Sequence, residues 1–150
     1  MSLQVQIDQD IKTAMLAKDA ARLRGLRAIK AALLVAKTEK GGSDSISEDV
    51  EVKVLQRLVK QRKESADIYK TQNRDDLYQI ETEELAVIEV YLPKQLDSAA
   101  IEEFVKKAIA QTGALSMKDI GKVMGVVNAE LAGKADGKAI SEMVKTLLSQ

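Results

Sequence analysis

Two neighbouring strings decide how the chain is read: Gly121-Lys122-Val123-Met124-Gly125, and then Leu131-Ala132-Gly133-Lys134-Ala135-Asp136-Gly137-Lys138. Together they predict a helix, a glycine-marked corner and the start of a second helix. Ile120, Met124, Val127 and Leu131 fall on one side of the first helix at helical spacing. Gly133 stops it, and Asp136 is placed to cap the last helix, whose core side is Ile140, Val144, Leu147 and Leu148. Gly121, Gly125, Ala129 and Gly133 recur every four residues, although glycine inside a helix costs about 1 kcal/mol relative to alanine. Something is therefore expected to approach that backbone closely. The neighbouring helix of the same subdomain is the expected occupant, and an RNA sugar-phosphate backbone is the alternative. The first N–H groups of the last helix lie at the positive end of its dipole, Gly137 leaves them open, and Lys134 and Lys138 add two mobile charges. That is a reasonable phosphate site. The Asp136 carboxylate works against it, by taking one donor and adding negative charge. Lys118 and Lys122 are expected around the same corner, completing a group of nucleic-acid-binding candidates.

Upstream, residues 98–111 predict a helix carrying Ile101, Phe104, Val105 and Ile109, with Asp97 or Ser98 as cap and Gly113 as terminator. Ser116 and Asp119 form a capping-box-like pair before the glycine-bearing helix. Pro93, the single proline, biases Leu92 away from helical geometry. Tyr91–Leu96 then reads as a hinge between an N-terminal helical subdomain, 1–93, and a C-terminal three-helix subdomain, 94–150. The predicted fold class is all-α.

The N-terminal body reads as four helices. Ile7, Ile11 and Met15 stripe the first. Asp19 caps the second, Ala20–Lys40, with Leu26, Ile29, Leu33 and Ala36 inward. That second helix holds Arg22, Arg24, Arg27, Lys30 and Lys37 with no acid among them. Such a face suits either phosphate contact or the rim of a helix bundle, and the bundle rim is preferred. Gly41-Gly42-Ser43-Asp44 makes a turn, and Ser45 or Ser47 caps a third helix running to about Gln72. Its inner side is read as Val54, Leu58, Ser65 and Tyr69, and Lys60 and Lys63 are expected to pair with Glu64 and Asp67 one turn on. Asp75 or Asp76 caps a fourth helix to Leu92, with Leu77, Ile80, Leu85, Ile88 and Leu92 inward and Glu81, Glu83, Glu84 and Glu89 outward.

Charge is balanced overall but not along the chain. Lys18–Arg74 holds fourteen basic and eight acidic residues, whereas Asp75–Glu103 holds nine acids and one base. An acidic helix packed beside a basic one is the expected explanation. There are no cysteines and no histidines. That removes thiolate chemistry and the side chain best suited to acid–base work at neutral pH, so zinc sites and Ser-His or Cys-His catalysis are not expected. No metal and no cofactor is expected. No uncharged apolar run approaches the roughly 20 residues of a membrane span, and the N-terminus lacks the pattern of a signal peptide. A cytoplasmic protein is expected. DNA is not an expected partner, because the helix after the corner offers few base-reading side chains. With only four aromatic residues, any RNA contact would be to backbone and shape.

Val54–Ser65, Tyr91–Leu96, Ser116–Gly125 and Gly133–Ser141 together resemble the GatB/YqeY family, and within it the YqeY-like proteins. The resemblance runs essentially end to end. It implies a multihelical protein whose C-terminal subdomain is similar to the tail domain of GatB, a component of the glutamine-dependent tRNA amidotransferase. Gly121, Val123, Met124, Gly133, Ala135, Asp136 and Lys138 match the shared tail pattern. The implied partner is tRNA, with aminoacyl-tRNA or the amidotransferase machinery around it. The implied chemistry is that of a carbon–nitrogen ligase with glutamine as amido donor. No nucleophile, general base or ATP loop can be named here, so the expected role is a tRNA-associated accessory protein without catalysis of its own. A protein–protein adaptor is the further alternative.

Overall fold

A computed structural model describes residues 2–39, 41 and 45–150. The described residues form seven α-helices and one 3-10 turn, with no strand. They fall into two compact units, residues 1–92 and 93–150.

The first unit is built from α1 (Leu3–Leu16), α2 (Ala20–Glu39), α3 (Glu48–Thr71) and α4 (Asp75–Glu89). Ser2 caps α1 by accepting from the Val5 amide, Asp19 accepts from the Arg22 amide, and Ser47, not Ser45, accepts from the Val50 amide to start α3. α2 packs against all three partners, and its buried residues Leu26, Ile29 and Leu33 join Ile7, Leu55 and Ile88 in one core. α2 and α4 approach closely at Gly25, where an added Cβ would sit 2.8 Å from Val87.

Several inward faces are rotated from those expected. On α1 the buried residues are Ile7 and Ala14, while Met15 is 55% exposed. A strict four-residue spacing drifts about 40° per step, so Met15 has already turned out of the interface. On α3 the buried line is Leu55, Leu58, Val59 and Ala66, displacing Val54, Ser65 and Tyr69 to its edge. The ion pairs of α3 run to α4, Arg62 to Glu84 and Lys63 to Glu89, rather than along α3 to Glu64 or Asp67. Asp75 and Asp76 lie inside the first turn of α4 behind Arg74, and neither caps it. α4 ends at Glu89, short of Leu92, because Tyr91 and Leu92 donate their amides to Ile88 and Glu89 in a tighter turn. Ile80 is exposed, not inward, and Ile88 is the one fully buried residue of α4. Gly41 has φ +84°, as a helix-ending glycine does, whereas Lys40 and residues 42–44 lie outside the described residues.

The second unit comprises α5 (Ser98–Thr112), the 3-10 turn Met117–Asp119, α6 (Ile120–Leu131) and α7 (Gly137–Leu148). Each helix packs on the other two around Ile101, Val105, Val123, Val127, Leu131 and Val144. Asp97 caps α5 and Gly113, at φ +70°, ends it. Phe104 is half-exposed instead of central, since Ile101, Val105 and Ala108 hold the middle of that face. An extended segment before α5 is stitched to the α6–α7 corner. Gln95 Nε2 donates to the Gly133 carbonyl and the Leu96 amide to the Lys134 carbonyl, both at 2.8 Å.

Candidate nucleic-acid interface

Most residues singled out in the second unit lie on its surface, whereas Val123 and Ala135 are buried and Gly133 is half-buried. Gly121, Lys122, Gly125, Ala129, Lys134, Gly137 and Lys138 are exposed, as is Lys118 in the 3-10 turn. Val123, Val127 and Leu131 define the buried side of α6, so at 100° per residue Lys122, Gly125 and Ala129 fall on the opposite side. The glycine stripe is therefore not a helix-packing seam. A Cβ added at Gly121 or Gly125 meets nothing within 4 Å, so no neighbouring helix of the unit approaches there. Gly133 belongs to the corner instead, with φ +78°, where its carbonyl accepts from Gln95. Pro93 is exposed at the start of the extended segment, and its carbonyl also accepts from Gln95 Nε2.

The four lysines do not share one corner. α6 places Lys122 about 14 Å of helical rise from Leu131. Lys118 and Lys122 accordingly stand at its start, and Lys134 and Lys138 beyond its end. At the corner, Asp136 has extended backbone and its carbonyl accepts from the Ile140 amide, but its side chain makes no capping hydrogen bond. The carboxylate thus does not take the donor that its position in the sequence predicts. The first amides of α7 remain uncapped by it.

Ion pairs occur in both units. In the first, Arg24 pairs with Glu83 at 2.8 Å, Lys30 with Asp8 at 2.8 Å, and Arg62 and Lys63 with the acidic α4. Of the five basic residues of α2, Arg24 and Lys30 are thus paired with carboxylates, while Arg22, Arg27 and Lys37 enter no ion pair among the described residues. In the second unit, Lys106 and Lys107 pair along α5 with Glu102 and Glu103. Among the described residues, Lys118, Lys122, Lys134 and Lys138 enter no ion pair. Nor does any group of three or more carboxylates converge to hold a metal ion among the described residues.

Two features carry no signal in the sequence pattern. Leu115 and Met117 project from the turn before α6, and Leu115 is 91% exposed. In the first unit, the Tyr91 hydroxyl donates to Asp10 Oδ2 at 2.5 Å beside an open cleft of ≈ 460 Å³ between α2 and α4. Burial, and then the adjacent Asp10 carboxylate, push the Tyr91 hydroxyl up to about 12, partly offset by Arg22. Among the described residues no helix is long and apolar enough to cross a membrane.

Comparison with known proteins gives a consistent family. The family described as Yqey-like protein matches residues 4–148. The mitochondrial protein named altered inheritance of mitochondria protein 41 of Meyerozyma guilliermondii is 33% identical over 130 residues, covering 83% of this chain and 67% of its own. Its namesake in Clavispora lusitaniae is 30% identical over 92% of this chain and 82% of its own. That of Vanderwaltozyma polyspora is 31% identical over 76% and 64% respectively. An all-helical chain matched over nearly its whole length in this way belongs to the YqeY-like protein family.

Proposed function

We propose that the protein is a tRNA-binding accessory module that holds RNA on the surface of its C-terminal unit and performs no chemistry itself. The observation that carries this is the set of four exposed lysines without ion pairs, beside a helix face whose glycines leave the backbone open. Lysines kept free of carboxylate partners are available to phosphate, and an open helix backbone lets a sugar-phosphate strand come close. The sequence likeness of this unit to the amidotransferase tail domain supports tRNA as the RNA, with aminoacyl-tRNA or the amidotransferase machinery as its surroundings. We place the protein in the cytoplasm, while its relatives carry mitochondrial names. Both compartments contain tRNA.

Titration of labelled tRNA with the full chain at rising salt tests the proposal. Binding should weaken steeply with salt, and no binding even at low salt would sink it. Changing Lys134 and Lys138 together to glutamate should weaken binding at least tenfold, by replacing two attractive charges with two repulsive ones. Circular dichroism should show helix content unchanged, since both side chains are exposed.

A further inference from the structure

We infer that Leu115 and Met117 form an aliphatic tip that packs against an exposed base face of the bound RNA, adding a salt-independent contact to the lysines around it. The inference rests on the RNA-binding proposal above and assigns a second kind of contact to the same unit. Leu115 is 91% exposed and Met117 41% exposed, on a short turn where burial against the core was available to neighbours such as Ala114. The turn is held rather than loose. Asp119 Oδ2 accepts from the Leu115 amide at 3.0 Å, and Ser116 Oγ accepts from the Lys118 amide at 3.3 Å. Two apolar side chains are thus presented to water on a hydrogen-bonded turn, where a ligand that covered them would gain by removing apolar surface from water.

The surroundings favour RNA as the cover. Lys118 follows Met117 directly and Lys122 lies in the first turn of α6, both are exposed, and among the described residues neither enters an ion pair. The one carboxylate within the turn, Asp119, accepts the Leu115 amide. Beside it the backbone at Gly121 and Gly125 is open. An apolar tip followed by two cations, next to an open backbone, complements a base face with its adjoining phosphates. The chain has only four aromatic residues, so aliphatic contact takes the place that aromatic stacking holds in other RNA binders. A lipid surface is the less suitable cover, because two aliphatic side chains bury too little area to hold a membrane.

Full-length protein, unfractionated tRNA and fluorescence anisotropy across a salt series test this. Leu115→Ala with Met117→Ala should weaken binding about tenfold at every salt concentration and leave the slope of log Kd against log salt unchanged. Lys118→Gln with Lys122→Gln should reduce that slope. Three results would overturn the inference. If wild type binds and the alanine pair binds within twofold of it, the aliphatic contact is rejected while RNA binding stands. If wild type fails to bind at low salt, the functional proposal falls and the tip falls with it. If the alanine pair binds tRNA normally but loses co-flotation with phosphatidylserine-containing vesicles, the cover is lipid.

Discussion

Glycines that look alike in the sequence do different work in the fold. Gly121 and Gly125, one turn apart, suggest a packing seam, yet both face open space. Gly25 stands alone in a helix of good formers, and it is where α2 meets α4. Gly25→Ala should therefore destabilise the protein by about 1–3 kcal/mol, because Val87 cannot yield without disturbing its own helix. Gly125→Ala should stabilise it by about 1 kcal/mol through helix propensity alone. Chemical denaturation of the two variants separates the cases, and a destabilised Gly125→Ala would restore the seam. Spacing could not give this result, since a close approach is set by a residue on another helix. Tyr91 offers a second residue-scale check. Its ordinary value of 10 rises to about 12 in the fold, so the stability it contributes is complete below pH 10 and is lost as pH climbs through 12. Tyr91→Phe should cost about 1–2 kcal/mol near neutrality by removing the hydrogen bond to Asp10. It should also flatten the alkaline arm of a melting-temperature profile.

At the scale of elements, the charge blocks announce that a basic and an acidic helix pack together, and α2, α3 and α4 do so. Which residues pair is not legible, because Arg24 and Glu83 are brought together by helix register, not by spacing along one helix. Arg62 is hidden for the same reason. It lies on the buried line of α3 between Leu58 and Ala66, with its side chain 18% exposed against Glu84 at 17%. Its Nε finds no hydrogen-bond partner, so the pair holds by charge at 3.5 Å. Glu81 shares that site, and burial first, then Glu84, raise its carboxyl above the usual range, with Arg62 acting in opposition. A raised carboxyl contributes stability that is complete below the unfolded value and is lost as pH rises through the folded one. Glu81→Gln should thus melt with wild type near pH 3 and a few degrees above it at pH 7. Equal melting at both pH values would show that Arg62 already compensates both acids. Removing Arg62 instead should cost about 3 kcal/mol, by leaving two carboxylates facing each other in a partly dry interface.

Over the whole molecule, apolar periodicity and the single proline mark an all-helical chain of two bodies, and each unit carries its own core. The second is close to the lower size at which a chain folds unaided. A fragment of residues 93–150 should nevertheless melt cooperatively with full helical ellipticity, and a broad, featureless melt would show that its core is insufficient. The fragment must keep its first residues, since Gln95 and Leu96 clasp the Gly133–Lys134 corner. The clasp also supplies a natural stopwatch. The Leu96 amide can exchange with deuterium only when its bond to the Lys134 carbonyl breaks, so its exchange half-life times the opening of the corner without any label. RNA seated on Lys134 should lengthen that half-life, and RNA held only at Lys118 and Lys122 should leave it unchanged.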